Sequence, residues 1–64
     1  MTRNRVVMLP KSLVNQVNAL IDSGYGGAWI QSKMELQYGK RYDIPSKNSF
    51  KRYVQAYRKA TEGA

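Results

Sequence analysis

Ser46-Lys47-Asn48-Ser49-Phe50-Lys51-Arg52-Tyr53-Val54-Gln55-Ala56-Tyr57-Arg58-Lys59-Ala60 is the stretch whose reading decides this chain. Phe50, Tyr53, Val54 and Tyr57 recur at i, i+3, i+4 and i+7, the spacing of one helical face, so the segment predicts an amphipathic helix over residues 46–60 with an aromatic core stripe. Lys47, Asn48, Lys51, Arg52, Gln55, Arg58 and Lys59 fall on the remaining arc, and no acid appears between Pro45 and Ala60. Ser46, placed just after Ile44-Pro45, is the expected N-cap, its hydroxyl accepting from free backbone N–H groups of the first turn. Ser49 occupies the position where a full capping box has Glu or Gln.

Two further helices are expected upstream. Leu13, Val14, Val17, Leu20 and Ile21 lie on one face of a helix over residues 10–22, with Lys11, Asn15, Gln16 and Asn18 off it; Pro10 suits its first turn and Gly24 its stop. Ser23-Gly24-Tyr25-Gly26-Gly27 reads as an interhelical turn, because it lacks the Gly-Lys-Ser/Thr ending of a phosphate-binding loop. Residues 28–38 then predict a helix burying Ile30, Met34 and Tyr38, with Trp29 and Leu36 on a flanking side and Gly39 at its end. Phe50 and Trp29 are the large rings expected to build the core. Residues 1–9 read as a basic arm or short extended segment, or as a chain end whose apolar part packs on the core, and residues 10–64 as the folded unit. The fold class is therefore all-α, a small three-helix bundle with a basic N-terminal arm.

Composition narrows the function. The chain has 64 residues, no Cys and no His, which removes disulfides, zinc fingers and Ser/His or Cys/His catalysis. The acids are Asp22, Glu35, Asp43 and Glu62, spread over separate segments without metal-ligand spacing. An enzyme is not expected, nor a metal or other cofactor, nor a small-molecule substrate. The longest apolar run, Val6-Val7-Met8-Leu9, is far below the ~20 residues of a membrane span and below a signal-peptide core. A soluble, cytoplasmic protein is the expectation, associated with the nucleoid if bacterial.

Net charge is +7, and it is unevenly placed. Residues 1–11 hold Arg3, Arg5 and Lys11 with no acid. Residues 12–38 hold Lys33 against Asp22 and Glu35. Residues 39–64 hold Lys40, Arg41, Lys47, Lys51, Arg52, Arg58 and Lys59 against Asp43 and Glu62. A neutral middle between basic ends points to an anionic partner. Arg and Lys match guanine acceptors and phosphates, Asn and Gln match adenine edges, and a helix fits the major groove of DNA. A solvated helix face is the bland reading, but such faces normally mix both signs.

The order of a first helix, a second ending Met34-Glu35-Leu36-Gln37-Tyr38-Gly39, then Ile44-Pro45-Ser46-Lys47-Asn48-Ser49-Phe50-Lys51-Arg52-Tyr53 resembles the trihelical helix-turn-helix domains of small phage and mobile-element proteins. In that family a hydrophobic residue, Ser, two variable residues, Ser or Thr and an apolar residue open the recognition helix, and an Arg-Tyr pair often follows. The resemblance spans about residues 10–60. Its departure is the connection over residues 39–45, longer than the usual three- to four-residue turn. It implies a double-stranded DNA-binding regulator of transcription or of a mobile element, acting as a dimer or assembled on a longer site. Lys47, Asn48, Lys51, Arg52, Gln55, Arg58 and Lys59 would face the groove, while Arg3, Arg5, Lys40 and Arg41 touch phosphates.

Other readings compete. Arg5-Val6-Val7-Met8-Leu9-Pro10-Lys11 before a helix is similar to a ribbon-helix-helix dimer, although its residues do not alternate as a groove-inserted strand requires. Tyr38, Tyr42, Tyr53 and Tyr57 are candidates for base stacking in an RNA-binding module. The basic face also suits a small factor docking on an acidic protein.

Overall fold

The computed structural model describes residues 4–62 and contains three α-helices: α1 (Lys11–Asp22), α2 (Gly27–Tyr38) and α3 (Lys47–Glu62). Ahead of them Arg5–Met8 forms a short 3₁₀ turn. There is no strand among the described residues. One core joins all four elements: Val6, Leu13, Val17, Ile21, Ile30, Met34, Phe50 and Val54 are buried, with Phe50, Ile30, Met34, Val6 and Val17 wholly enclosed. Leu9, Leu20, Tyr38, Ile44, Tyr53 and Tyr57 close its rim. The three-helix bundle expected from the helical periods is the fold.

Helix α1 ends as its sequence predicts. Gly24 takes φ 98°, the left-handed backbone that glycine adopts without Cβ strain. Its amide donates to the carbonyl of Ile21, and the amide of Tyr25 to that of Leu20, so two carbonyls of the last turn are satisfied in a Schellman arrangement. Pro10 precedes the first turn, where its carbonyl accepts from the amides of Leu13 and Val14. Three tyrosines tie α1 to its neighbours: the Tyr53 hydroxyl donates to Asn18, the Tyr57 hydroxyl to Asp22, and the Gln16 amide donates to the Tyr38 hydroxyl.

Helices α2 and α3 form the most extensive helix pair. Gly27 permits their close approach, because a Cβ there would lie 2.8 Å from the backbone nitrogen of Lys51 and 3.0 Å from the carbonyl carbon of Phe50. The connection over residues 39–46 is held rather than loose. The amides of Arg41 and Tyr42 turn back to the carbonyl of Tyr38, Pro45 is buried, and Gln31 on α2 donates to the Pro45 carbonyl.

One alternative is decided here and one expectation corrected. Of the readings open for the N-terminal segment, the packed chain end holds: Arg5–Met8 is a docked 3₁₀ turn rather than an extended piece. Asn4 caps it by accepting from the Val6 amide at 2.8 Å, its own amide donates to the Ser49 carbonyl on α3, and Val6 inserts into the core. An apolar run of four residues without period 2 packs one side chain this way more readily than it forms a strand, which also takes away the strand that a ribbon-helix-helix dimer needs. Trp29, expected in the core, is 47% exposed. Helix α2 is apolar on two faces, and Ile30 and Met34 on the other face fill the space beneath it.

Candidate nucleic-acid interface

Placing α3 at about 100° per residue puts Phe50, Tyr53, Val54 and Tyr57 on one arc of roughly 100° and Lys47, Asn48, Lys51, Arg52, Gln55, Arg58 and Lys59 on another of roughly 140°. The structure buries Phe50 and Val54, half-buries Tyr53 and Tyr57, and exposes all seven residues of the polar arc. The helix is thus divided cleanly into a face that holds the fold and a face that does nothing for it.

Within the polar arc the positions differ. Asn48, Arg52, Gln55 and Lys59 lie opposite the core and project furthest outward. Lys47, Lys51 and Arg58 lie on the flank that adjoins α2, where Gly27 abuts the Lys51 backbone. The middle of the outward face is therefore two amides and two cations, and its α2 edge is purely cationic. Lys40 and Arg41 are exposed on the connection leading into this helix.

Electrostatics set this face apart from an ordinary solvated one. Lys40, Arg41, Lys47, Lys51, Arg52, Arg58 and Lys59 have no ion-pair partner among the described residues, where the pair found is Arg5–Asp43 at 3.1 Å. Helix α3 has no acid in its first turn. Lys47 and Lys51 instead stand near its positive end and repel each other at i, i+4, each an arrangement that costs the free protein a few tenths of a kcal/mol. An anion on this face removes both costs. Ser46 begins the helix as expected, its hydroxyl 3.5 Å from the Ser49 amide.

The remaining sequence candidates are placed elsewhere. Arg5 is exposed but engaged with Asp43, an exposed pair that clips the N-terminal turn to the connection before α3. Arg3 lies outside the described residues. Of the tyrosines considered for base stacking, Tyr38, Tyr53 and Tyr57 are half-buried with their hydroxyls bound by α1, and Tyr42 is exposed at the rim. Burial pushes the Tyr53 phenol above its usual value, against the hydrogen bond to Asn18; Tyr57 is raised by lost hydration and by the bond to, and charge of, Asp22. No cluster of three potential metal ligands occurs among the described residues. Asp22, Glu35 and Asp43 accept from Tyr57, Gln31 and Arg5 respectively. No helix among the described residues is long and apolar enough to cross a membrane.

Sequence reasoning missed three contributors to this geometry. Gly27 was read as part of a turn, Pro45 as the end of the connection before the third helix and Asn4 as part of the N-terminal segment. Each matters through a contact made far along the chain, and none leaves a periodic signal. Comparison with known protein families, with curated proteins and with solved structures returns no match.

Proposed function

We propose that this protein binds double-stranded DNA by laying α3 in the major groove, as a small regulator of transcription or of a mobile element acting in the cytoplasm or on the nucleoid. The observation that carries the reading is the exposed polar arc of α3, free of acids from Lys47 to Ala60 and joined by Glu62 only at the helix end, whose cations have no ion-pair partner among the described residues. Such an arc neutralises phosphates and releases their counterions. Its outermost side chains are the types that read base edges: Asn48 and Gln55 pair with adenine, Arg52 with guanine, and Lys59 with guanine or phosphate. Lys47, Lys51 and Arg58 on the α2 edge, with Lys40 and Arg41, meet the phosphates along one wall of the groove and fix register.

The alternatives have less to stand on. A ribbon-helix-helix mode requires a strand where a 3₁₀ turn lies. A single-stranded RNA mode has one open ring beside cations, Tyr42 next to Lys40 and Arg41, whereas Tyr53 and Tyr57 support α1. A protein partner for the basic face has no specific feature in its favour.

The test is binding of a random duplex by fluorescence anisotropy at several salt concentrations, with single-stranded RNA and polyglutamate as competitors. Duplex DNA is expected to bind with steep salt dependence and to be displaced poorly by the other two. Displacement by polyglutamate at equal charge would instead support the acidic-protein reading.

A further inference from the structure

We infer that the element read by α3 is a short run of purines on one strand, with adenine, guanine, adenine and guanine in consecutive base pairs. The inference rests on the DNA reading and deepens it, by naming the class of sequence that charge alone leaves open.

The outward line of α3 carries it. Asn48, Arg52, Gln55 and Lys59 are exposed opposite the core and follow one another at intervals of four, three and four residues. Along the axis these steps are about 6, 4.5 and 6 Å. Side chains spaced in this way on a helix in the major groove meet successive base pairs, principally on one strand. Their chemistry then chooses the base. The carboxamides of Asn48 and Gln55 each offer a donor and an acceptor, which match the N7 acceptor and N6 donor of adenine. The Arg52 guanidinium and the Lys59 ammonium have donors only, and match N7 and O6 of guanine. All four preferred bases are purines. No carboxylate stands on this line to accept from the cytosine amino group, and no apolar side chain to meet the thymine methyl, so nothing on it selects a pyrimidine.

The flanks of α3 carry the same asymmetry independently. Lys47, Lys51 and Arg58 stand on the flank that adjoins α2, and Glu62 joins them only at the last residue of the helix. The opposite flank is Ser49, Ala56 and Ala60, small and uncharged. The N-terminal turn meets that second flank where Asn4 donates to the Ser49 carbonyl, and its Arg5 is held by Asp43 at 3.1 Å. The two walls of the major groove are the backbones of the two strands. Cations on one flank alone hold one strand, and the purines are read from that fixed register.

The experiment is selection by the full chain from a pool of duplexes with random interiors, followed by anisotropy titrations of the selected duplex. The expected result is enrichment of four contiguous purines on one strand, alternating adenine and guanine. Inverting any of the base pairs met by Asn48, Arg52 or Gln55 is expected to weaken binding by about 5- to 100-fold. Asn48→Ala and Gln55→Ala should each lose the preference at one adenine and keep the other, and Arg52→Ala the preference at the guanine between them. All three side chains are exposed, so far-UV circular dichroism should not change. Uncharged methylphosphonate linkages in one strand should shallow the salt dependence, and in the other leave it unchanged. A selected core with a pyrimidine in each strand, or duplex binding with no enriched sequence, overturns the inference and leaves the DNA reading standing. Equal methylphosphonate effects from both strands overturn it as well. No duplex binding at low salt overturns both.

Discussion

The backbone of Gly27 at the start of α2 rests on the backbone of Lys51 in α3: a methyl group on Gly27 would come 2.8 Å from the Lys51 nitrogen and 2.9 Å from its Cα. This contact fixes how α3 lies on α2, and with it which part of the polar arc faces away. Because both groups are backbone, no side chain can rotate to make room. Gly27→Ala is expected to destabilise the fold by roughly 1–3 kcal/mol, the usual cost of overpacking, and to weaken DNA binding beyond what lost folding explains. Gly24→Ala meets no atoms but strains a positive φ, and should cost about 1 kcal/mol. Gly26→Ala has neither difficulty but replaces the N-cap of α2, and should cost only about 0.5 kcal/mol. Urea melts of the three variants check this order, and equal losses at Gly26 and Gly27 would show that the crossing is not tight.

Core rings and surface rings should separate sharply. Phe50 is wholly buried, so Phe50→Ala is expected to cost about 3–5 kcal/mol, enough to unfold a domain of this size. Trp29→Ala should change stability by less than about 1 kcal/mol in dilute solution. Val6→Ala, in the N-terminal segment that sequence leaves open between an arm and a packed chain end, should cost about 2 kcal/mol, since Val6 is as buried as Phe50. Thermal melts by circular dichroism decide all three. A full-strength fold without Val6 would mean that the 3₁₀ turn is not part of the core.

Alkaline pH should weaken the protein through two phenols. Tyr53 and Tyr57 both ionise above their ordinary value of 10.0 in the folded chain. A raised folded value means that the neutral phenol is favoured by folding; that stability is complete below about pH 10 and is lost as pH rises through the folded values. Denaturant midpoints are therefore expected to hold through neutral pH and to fall above about pH 10. The Tyr53→Phe/Tyr57→Phe double variant should start less stable, having lost its bonds to Asn18 and Asp22, and should fall less steeply. An identical alkaline slope in variant and parent would contradict this assignment.

Much of this was readable from residues alone, and the failures share a cause. Val17, Ile21, Phe50 and Val54 announce their burial because their neighbours at helical spacing on the opposite face are polar. Trp29 does not, since α2 carries large apolar residues on two opposite sides and periodicity cannot choose which of them turns inward. Val6 is one apolar residue in an aperiodic run, and only the space left beside α1 and α3 selects it for the core. The cationic arc of α3 was legible because acids are missing from it as far as Ala60. What the sequence could not supply was which neighbour flanks that arc: Gly27 against the Lys51 backbone puts Lys51 on the α2 edge, and leaves Asn48, Arg52, Gln55 and Lys59 outermost.

That orientation separates reading from positioning. Asn48→Ala, Arg52→Ala and Gln55→Ala are each expected to cost roughly 1–3 kcal/mol on a selected duplex and much less on a scrambled one. Lys47→Ala, Lys51→Ala and Arg58→Ala should weaken both duplexes alike and shallow the salt dependence by about one unit each. Equal losses on both duplexes for every variant would mean that α3 positions the protein without reading sequence.

The central claim is that the unpartnered cations of α3 and its leading connection bind the DNA backbone, and the salt titration of duplex binding tests it most directly. With about five of Lys40, Arg41, Lys47, Lys51, Arg52, Arg58 and Lys59 on phosphates, log affinity should fall against log salt with a slope of roughly −4 to −5, a loss of about 10²- to 10³-fold between ~50 and ~200 mM. A duplex affinity that does not change with salt, or no duplex binding at low salt, would contradict the account.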